Sequence, residues 1–273
     1  MPRKSPPWLL NQKGECTIVD TKLQHKQNPT LAFIPRRVLL KISGESLCGK
    51  QPSGLDPAQM QKLVQAIKAV QAKGYEVVLV VGAGNFFRGA QGAALGIRRA
   101  VADHMGMMAT VMNGLALQEL LEAADVPVEL FSALPSPHIV EEYHRGKAMK
   151  VLKEGKVIIL AGGSGNPYFT TDTAAVLYSL ELECGLFLKA TQVDGVYTSD
   201  PCKDKDARKI EHLTYAYALE KGIGVMDKTA LTLAHENNLP ALVFSIHTPQ
   251  NLVDLVEGRG SFSIINNEGP NGI

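Results

Sequence analysis

Aromatic residues, cysteines, long apolar runs and an excess of either charge are all scarce in this chain, and each scarcity excludes something. Aromatics are 6% of its 273 residues, with a single tryptophan; that suits an aliphatic sheet between helices better than an aromatic-rich β-sandwich. The four cysteines, Cys16, Cys48, Cys184 and Cys202, are scattered without a C-x-x-C pair. Neither a zinc site nor a disulfide framework is indicated, and a reducing cytoplasm suits the chain. No apolar run approaches the roughly 20 residues that span a bilayer, and Trp8-Leu9-Leu10 is too short for the core of a signal peptide. Lys and Arg total 28 against 27 Asp and Glu, a formal net charge of +1. This balance gives no reason to expect nucleic acid or a membrane as the main partner, so any phosphate must be held by a local site. The seven histidines show no H-E-x-x-H spacing and no serine sits in a G-x-S-x-G elbow, which leaves zinc hydrolysis and acyl transfer without their motifs.

What is present is regular. Residues 1–36 form a polar stretch punctuated by Pro2, Pro6, Pro7, Pro29 and Pro35, without clear periodicity, and are expected to be a mobile extension. From residue 37 apolar runs with strand character, Val38–Ile42, Val77–Val81, Val128–Phe131, Lys156–Ala161, Gly185–Ala190, Ala241–Ser245 and Ser261–Ile265, alternate with helical patterns. Asp56-Pro57 opens one helix as N-cap and first-turn proline, and Gly74 stops it. A long helix is expected over about Arg98–Ala124, and others near 172–182, 214–221, 226–236 and 249–257. The alternation predicts an α/β fold with a mainly parallel central sheet and helices on both faces. The expected units are an extension 1–36, a domain 37–266 and a short tail 267–273.

In a parallel sheet the loops leaving the carboxyl ends of strands share one edge, where ligands bind. Four unusual segments fall there: Lys41-Ile42-Ser43-Gly44-Glu45, Gly82 to Gly89, Gly162 to Asp172, and Lys189 to Tyr197. Small residues let backbone N–H groups approach phosphate oxygens, and Lys41 and Arg88 add full positive charge. Gly44 to Lys50 also fits the core of a P-loop. However, Gln51 stands where a magnesium-binding Ser or Thr belongs, and Pro52-Ser53-Gly54 replaces the helix, so this match is a decoy.

These segments, with Asp103-His104-Met105-Gly106-Met107 and Ser199-Asp200-Pro201, resemble the amino acid kinase family, and within it the bacterial UMP kinases (uridylate kinases), over about Arg37–Ile265. The resemblance implies transfer of the γ-phosphoryl group of ATP to UMP in pyrimidine nucleotide synthesis, with Mg²⁺ carried on the ATP phosphates and no dedicated metal ligands. It assigns Lys41, Ile42, Ser43, Gly44, Gly84 and Arg88 to the ATP phosphates, and Thr191, Tyr197 and Asp200 to adenosine. It places UMP among Ala83, Asp103, Ser164, Gly165, Asn166, Pro167, Tyr168, Phe169, Thr170 and Thr171. Ala83 departs from many relatives, which carry a third glycine there.

Lys41 and Arg88 are the expected catalytic cations. Asp172 either organises a lysine or metal or simply caps the helix that follows, and Asp227 is either a carboxylate near the phosphates or a first-turn helix acid. Tyr168 and Phe169 are expected to be core residues, as are Met105, Met107, Met108 and Met112 at helical spacing. A kinase for another small acceptor and a non-catalytic nucleotide-binding relative remain the alternatives. The resemblance further implies a homohexamer and inhibition by UTP. At the positions where GTP-activated members carry basic residues this chain has Gln118, Glu122 and Glu129, with Glu119 beside them, so weak GTP activation is expected.

Overall fold

The computed structural model describes residues 8–10, 16–18, 34–87, 92, 94–201 and 203–268. The expected mobility of residues 1–36 falls largely outside them. Two three-residue strands are found in that stretch, β1 (Trp8–Leu10) and β2 (Cys16–Ile18), paired antiparallel, where the sequence offers no periodicity.

The remaining strands are β3 (Arg37–Ile42), β4 (Glu76–Val81), β5 (Val128–Ser132), β6 (Glu141–Glu142), β7 (Val157–Ala161), β8 (Leu186–Thr191), β9 (Val196–Tyr197), β10 (Lys209–Ile210), β11 (His212–Thr214), β12 (Ala241–Ser245) and β13 (Phe262–Asn266). Nine of them form one sheet in the order β11-β13-β12-β8-β3-β4-β7-β5-β6. From β12 to β6 every pairing is parallel, whereas β13 runs antiparallel to β12 and carries β11 parallel to itself. β9 and β10 form a separate small hairpin.

Strand parity divides the core in two. Val38, Leu40, Ile42, Leu79, Val81, Ile159, Leu188 and Phe244 face one side, packed with helices Pro57–Ala72, Arg99–Glu122 and Gln250–Val256. Leu39, Val78, Val80, Ile158, Leu160, Phe187 and Val243 face the other, packed with helices Arg145–Lys153, Thr171–Glu181, Tyr215–Lys221 and Lys228–Glu236. Apolar residues on both faces explain why these strands read as continuous hydrophobic runs.

The long helix departs from expectation. Met107 is buried, but Met108 and Met112 are 64% and 53% exposed, and Val101, Met105 and Leu115 join them in one stripe. The 3.6-residue period places these five on a single face, and that face points away from the sheet.

Asp56 caps its helix as read, accepting a hydrogen bond from Gln59 N at 2.9 Å with Pro57 in the first turn. Asp56→Ala should therefore lower stability by about 1 kcal/mol. A lower urea midpoint at unchanged denaturant slope is the measurement that checks it.

Candidate functional site

The four segments leave β8, β3, β4 and β7, which are adjacent in the sheet. Register aligns their ends: Ile42 pairs with Val81 and with Ala190, and Val80 pairs with Leu160. The loops therefore form one continuous rim.

Beneath it lies a buried charge cluster. Lys41 and Lys189 are direct partners in the β3–β8 register, and both have the parity of Leu39 and Phe187, so both point toward helix Thr171–Glu181. Asp172, in the first turn of that helix, meets them. Lys41 Nζ lies 2.9 Å from Asp172 Oδ1 as an ion pair, and Lys189 Nζ donates to Oδ2. The three residues are only 6%, 8% and 9% exposed. Burial pushes the Asp172 carboxyl up, but the two ammonium groups override it and hold the group below the usual carboxylate range. Burial pushes the Lys189 ammonium below the usual lysine range, with Asp172 opposing the shift and Lys41 adding to it. Formally the trio carries one net positive charge, a local cation site in a nearly neutral chain.

Asp172 is not the helix cap. Thr170 is, accepting from Asp172 N and Thr173 N at 3.1 and 3.2 Å. The Thr170 hydroxyl donates in turn to Asp227 Oδ2, and Thr173 Oγ1 lies 2.9 and 3.1 Å from the two Asp227 oxygens. Asp227 itself is an N-cap, accepting from Ala230 N at 3.0 Å, and not a first-turn acid. With one donor and two acceptor positions in use, the Thr170 hydroxyl is saturated.

On the β3–β4 side the backbone is tightly packed. A Cβ on Gly44 would lie 2.4 Å from Asn85 Oδ1 and 2.6 Å from Gly84 N, so only glycine fits between these loops. Gly44–Leu47 is a 3₁₀ turn and the next helix begins at Pro57, which confirms the P-loop match as a decoy. Ala83 is absent from the positive-φ residues and its carbonyl accepts from Phe86 N and Phe87 N, so the methyl group that replaces a glycine hydrogen causes no backbone strain. Lys41, Ile42 and Gly44 are buried, with Ser43 and Gly84 half-buried at the rim. Arg88 lies outside the described residues.

On the β7 side, Gly162 takes φ 78° and its N–H donates to Thr110 Oγ1 at 2.7 Å. The loop 164–171 then stands into solvent. Tyr168 and Phe169 are 66% and 51% exposed, contrary to their expected core role. Tyr168 adopts φ 73°, costly for a bulky residue, and is held by its N–H donating to Asp103 Oδ2 at 2.7 Å and by Arg99 over its ring. Asp103 also accepts from Arg99 Nε at 3.0 and 3.1 Å, so it ties the loop to the long helix. Ser164 and Asn166 brace each other within the loop.

Beyond β8, Thr191 Oγ1 donates to Val193 O at 2.6 Å, and Tyr197 and Asp200 sit at the β9–β10 hairpin. Tyr197 Oη donates to Asp194, which also accepts from Lys209 and Ser261 and so anchors the hairpin to the start of β13. Burial raises the Asp194 carboxyl, but the Tyr197 hydroxyl and Lys209 outweigh it and hold the group low.

The sequence model of the amino acid kinase family matches residues 36–245. This chain belongs to the amino acid kinase family. Among its family relatives, a protein named uridylate kinase from Paramagnetospirillum magneticum is 48% identical over 233 residues, 85% of this chain and 97% of the relative. Another so named, from Legionella pneumophila, is 44% identical over 243 residues, covering 89% and 98%. Crystal structures of UMP kinases from Ureaplasma parvum and Bacillus anthracis superpose with TM-scores of 0.81 and 0.84 at 38% and 34% identity, covering 85% and 86% of this chain and 98% of each structure.

Lys189, Thr173, Thr110, Asn85 and Asn113 brace this candidate site; Thr173, Thr110 and Asn113 lie outside the segments the sequence marks, while Lys189 and Asn85 lie inside two of them without a role of their own. For Lys189 a signal existed: a lysine inside an apolar run, at the same place in its strand as Lys41.

Removing the shared carboxylate would leave two ammonium groups buried side by side. Asp172→Asn should cost about 3–5 kcal/mol of unfolding free energy at neutral pH. Because the folded-state pKa of Asp172 is depressed, its contribution is complete above the ordinary carboxylate range and is lost as pH falls through the depressed value. The gap between wild type and variant in urea unfolding should therefore narrow toward acid.

Proposed function

We propose that this protein is a nucleoside monophosphate kinase that transfers the γ-phosphoryl group of ATP to UMP, giving UDP and ADP. The observation that carries this reading is the Lys41–Asp172–Lys189 cluster, set beneath four small-residue loops at adjacent strand ends. A UMP phosphate is already anionic near neutral pH, so the reaction needs no strong general base. It needs two anions aligned and their repulsion neutralised. Lys41 supplies charge where the phosphoryl group moves, with Arg88 as the second expected cation. The backbone of Ser43, Gly44 and Gly84 receives ATP phosphates, while Thr191, Tyr197 and Asp200 take the adenosine side. UMP occupies the space bounded by Ala83, Asp103 and the loop 164–171, where Asp103 accepts ribose hydroxyls.

Both Asp172 oxygens face lysines, and both Asp227 oxygens accept from Thr173, with Thr170 and Ala230 N adding one each. No group of three or more His, Cys, Asp or Glu suited to a metal occurs among the described residues. Mg²⁺ would arrive on the ATP phosphates and neutralise charge there.

Several attributes belong to the same proposal. The catalytic unit is residues 37–266, with 1–36 an extension and 267–273 a tail. Pyrimidine nucleotide synthesis in the cytoplasm is its setting; Cys48 and Cys184 are buried free thiols, and no helix among the described residues is long and apolar enough to cross a membrane. A homohexamer belongs to the same reading; the exposed stripe Val101, Met105, Met108, Met112 and Leu115, whose alternating spacing of four and three suits pairing with a second helix, supports self-association through this face. UTP inhibits by occupying the UMP site.

An acceptor panel of UMP, CMP, AMP and amino-acid carboxylates with ATP and Mg²⁺ tests the reading. UMP should be strongly preferred, and Lys41→Ala should lower kcat roughly 100-fold with a smaller effect on the KM for UMP. A preference for another acceptor sinks the proposal.

GTP should activate weakly or not at all. Gln118 donates to Glu122, Glu129 pairs with Lys156, and the nearby cations Arg145 and Lys147 are engaged by Glu183 and Glu141. Of the basic residues near these positions, Lys150 alone among Arg145, Lys147 and Lys150 is exposed without an ion-pair partner among the described residues, and a single lysine supplies little charge for a triphosphate. Initial rates titrated with GTP at constant free Mg²⁺ check this, and strong saturable activation would contradict it.

A further inference from the structure

We infer that Asn85 and Asn113 form a buried amide clamp that positions the phosphate-side loops, and that the kinase reaction depends on it; the inference rests on the kinase reading above.

The two side chains, 2% and 0% exposed, bond reciprocally. Asn85 Nδ2 donates to Asn113 Oδ1 at 2.9 Å, and Asn113 Nδ2 donates to Asn85 Oδ1 at 2.8 Å. The second hydrogen of each amide goes to a loop carbonyl: Asn85 to Gly54 O at 2.9 Å and Asn113 to Gly82 O at 2.8 Å. Those two carbonyls fix both amide orientations, since turning either group would set oxygen against oxygen. All four N–H donors are satisfied in a place without access to water, where each unmade bond is costly.

The clamp joins three separate segments. Gly82 and Asn85 belong to the loop after β4, Gly54 to the loop after β3, and Asn113 to the helix Arg99–Glu122. Gly54 N also donates to Asn85 O at 2.9 Å, and Gly82 N donates to Ile42 O at 2.8 Å. Gly44 packs directly against Asn85 Oδ1, where even a methyl group would collide. Loops built of Ser43, Gly44, Gly82 and Gly84 have little stiffness of their own. A rigid amide pair behind them holds the two loops at the spacing that phosphate binding requires, and misplacement by about 1 Å costs roughly 100-fold in rate. Asn85 and Asn113 are thus positioning residues, acting through the loops and not on the reacting atoms.

Asn113→Asp tests this with little change in shape. The introduced carboxylate would face Gly82 O and Asn85 Oδ1 without a hydrogen for either. Its burial among acceptors raises its pKa, so lowering the pH restores a donor. In assays of UMP phosphorylation from about pH 8 to about pH 5.5, we expect kcat to fall roughly tenfold or more at the alkaline end, with smaller changes in both KM values. The deficit relative to wild type should shrink toward the acid end. Hydrogen exchange should quicken at residues 43–54 and 82–87 in the variant at alkaline pH, whether or not UMP is the acceptor.

A folded variant with wild-type kcat and exchange overturns the inference, as does a deficit that is the same at every pH. If wild type fails to phosphorylate UMP while the exchange difference persists, the kinase reading fails and the clamp stands. Should Asn113→Asp not fold, Asn85→Ser carries the test: a lowered kcat with quickened exchange in the same segments supports the clamp, and an unchanged kcat overturns it.

Discussion

The site depends on one carboxylate shared between two buried lysines. Strand parity and the β3–β8 register place Lys41 and Lys189 side by side on the same face, where two ammonium groups would repel each other in a medium that screens poorly. Asp172 resolves the conflict, and it must be delivered to within ion-pair distance. Delivery is the work of a relay of helix caps: Thr170 caps the helix bearing Asp172, Asp227 binds Thr170 and Thr173, and Asp227 in turn caps the helix Lys228–Glu236. With one carboxylate for two lysines the cluster keeps a positive charge. Asp227, whose charge also reaches Lys189, tempers it, so the cationic potential this nearly neutral chain offers here is local and lies beneath the rim loops.

Much of this was legible in the sequence because it rests on local rules. Asp56-Pro57 announced a helix start, the apolar runs announced buried parallel strands, and their carboxyl ends pointed to the loops that now form the rim. What escaped had no local signature. Strands β9, β10 and β11 are two or three residues long, too short for periodicity to register, and the reversed direction of β13 depends on packing. Asp172 and Asp227 were each left with two readings because a carboxylate at a helix start serves equally as cap or ligand. Thr170 taking the cap removes that role from Asp172, whereas Asp227 proves to be the cap of its own helix. Tyr168, Phe169 and the outward methionines were misread for one shared reason: hydrophobic type predicts burial, and the exceptions lie where a surface has a use.

The loops illustrate a division of labour between residues that approach the ligand and residues that stiffen them. Glycines admit close backbone contact but leave the chain free to move. Stiffness comes from polar groups behind the rim: the buried Asn85–Asn113 pair behind the β4 loop, buried Thr110 holding Gly162 N behind the β7 loop, and half-buried Asp194 gathering Tyr197, Lys209 and Ser261 beyond β8. Such groups are inconspicuous in a sequence, since a lone Asn or Thr in an apolar helix looks like a minor irregularity. Their satisfied hydrogen bonds are what make them specific.

The helix Arg99–Glu122 unites these functions in one rigid element. Asp103 on it fixes the loop 164–171 through Tyr168 N, Thr110 fixes the start of that loop, and Asn113 fixes the loop after β4. Its opposite face carries the exposed stripe from Val101 to Leu115. Contact made on the stripe of this 24-residue helix therefore bears on both of these loops of the candidate site. The proposed association through that face would bear on the element that braces both loops, whereas contact elsewhere on the domain would leave them to their own hydrogen bonds.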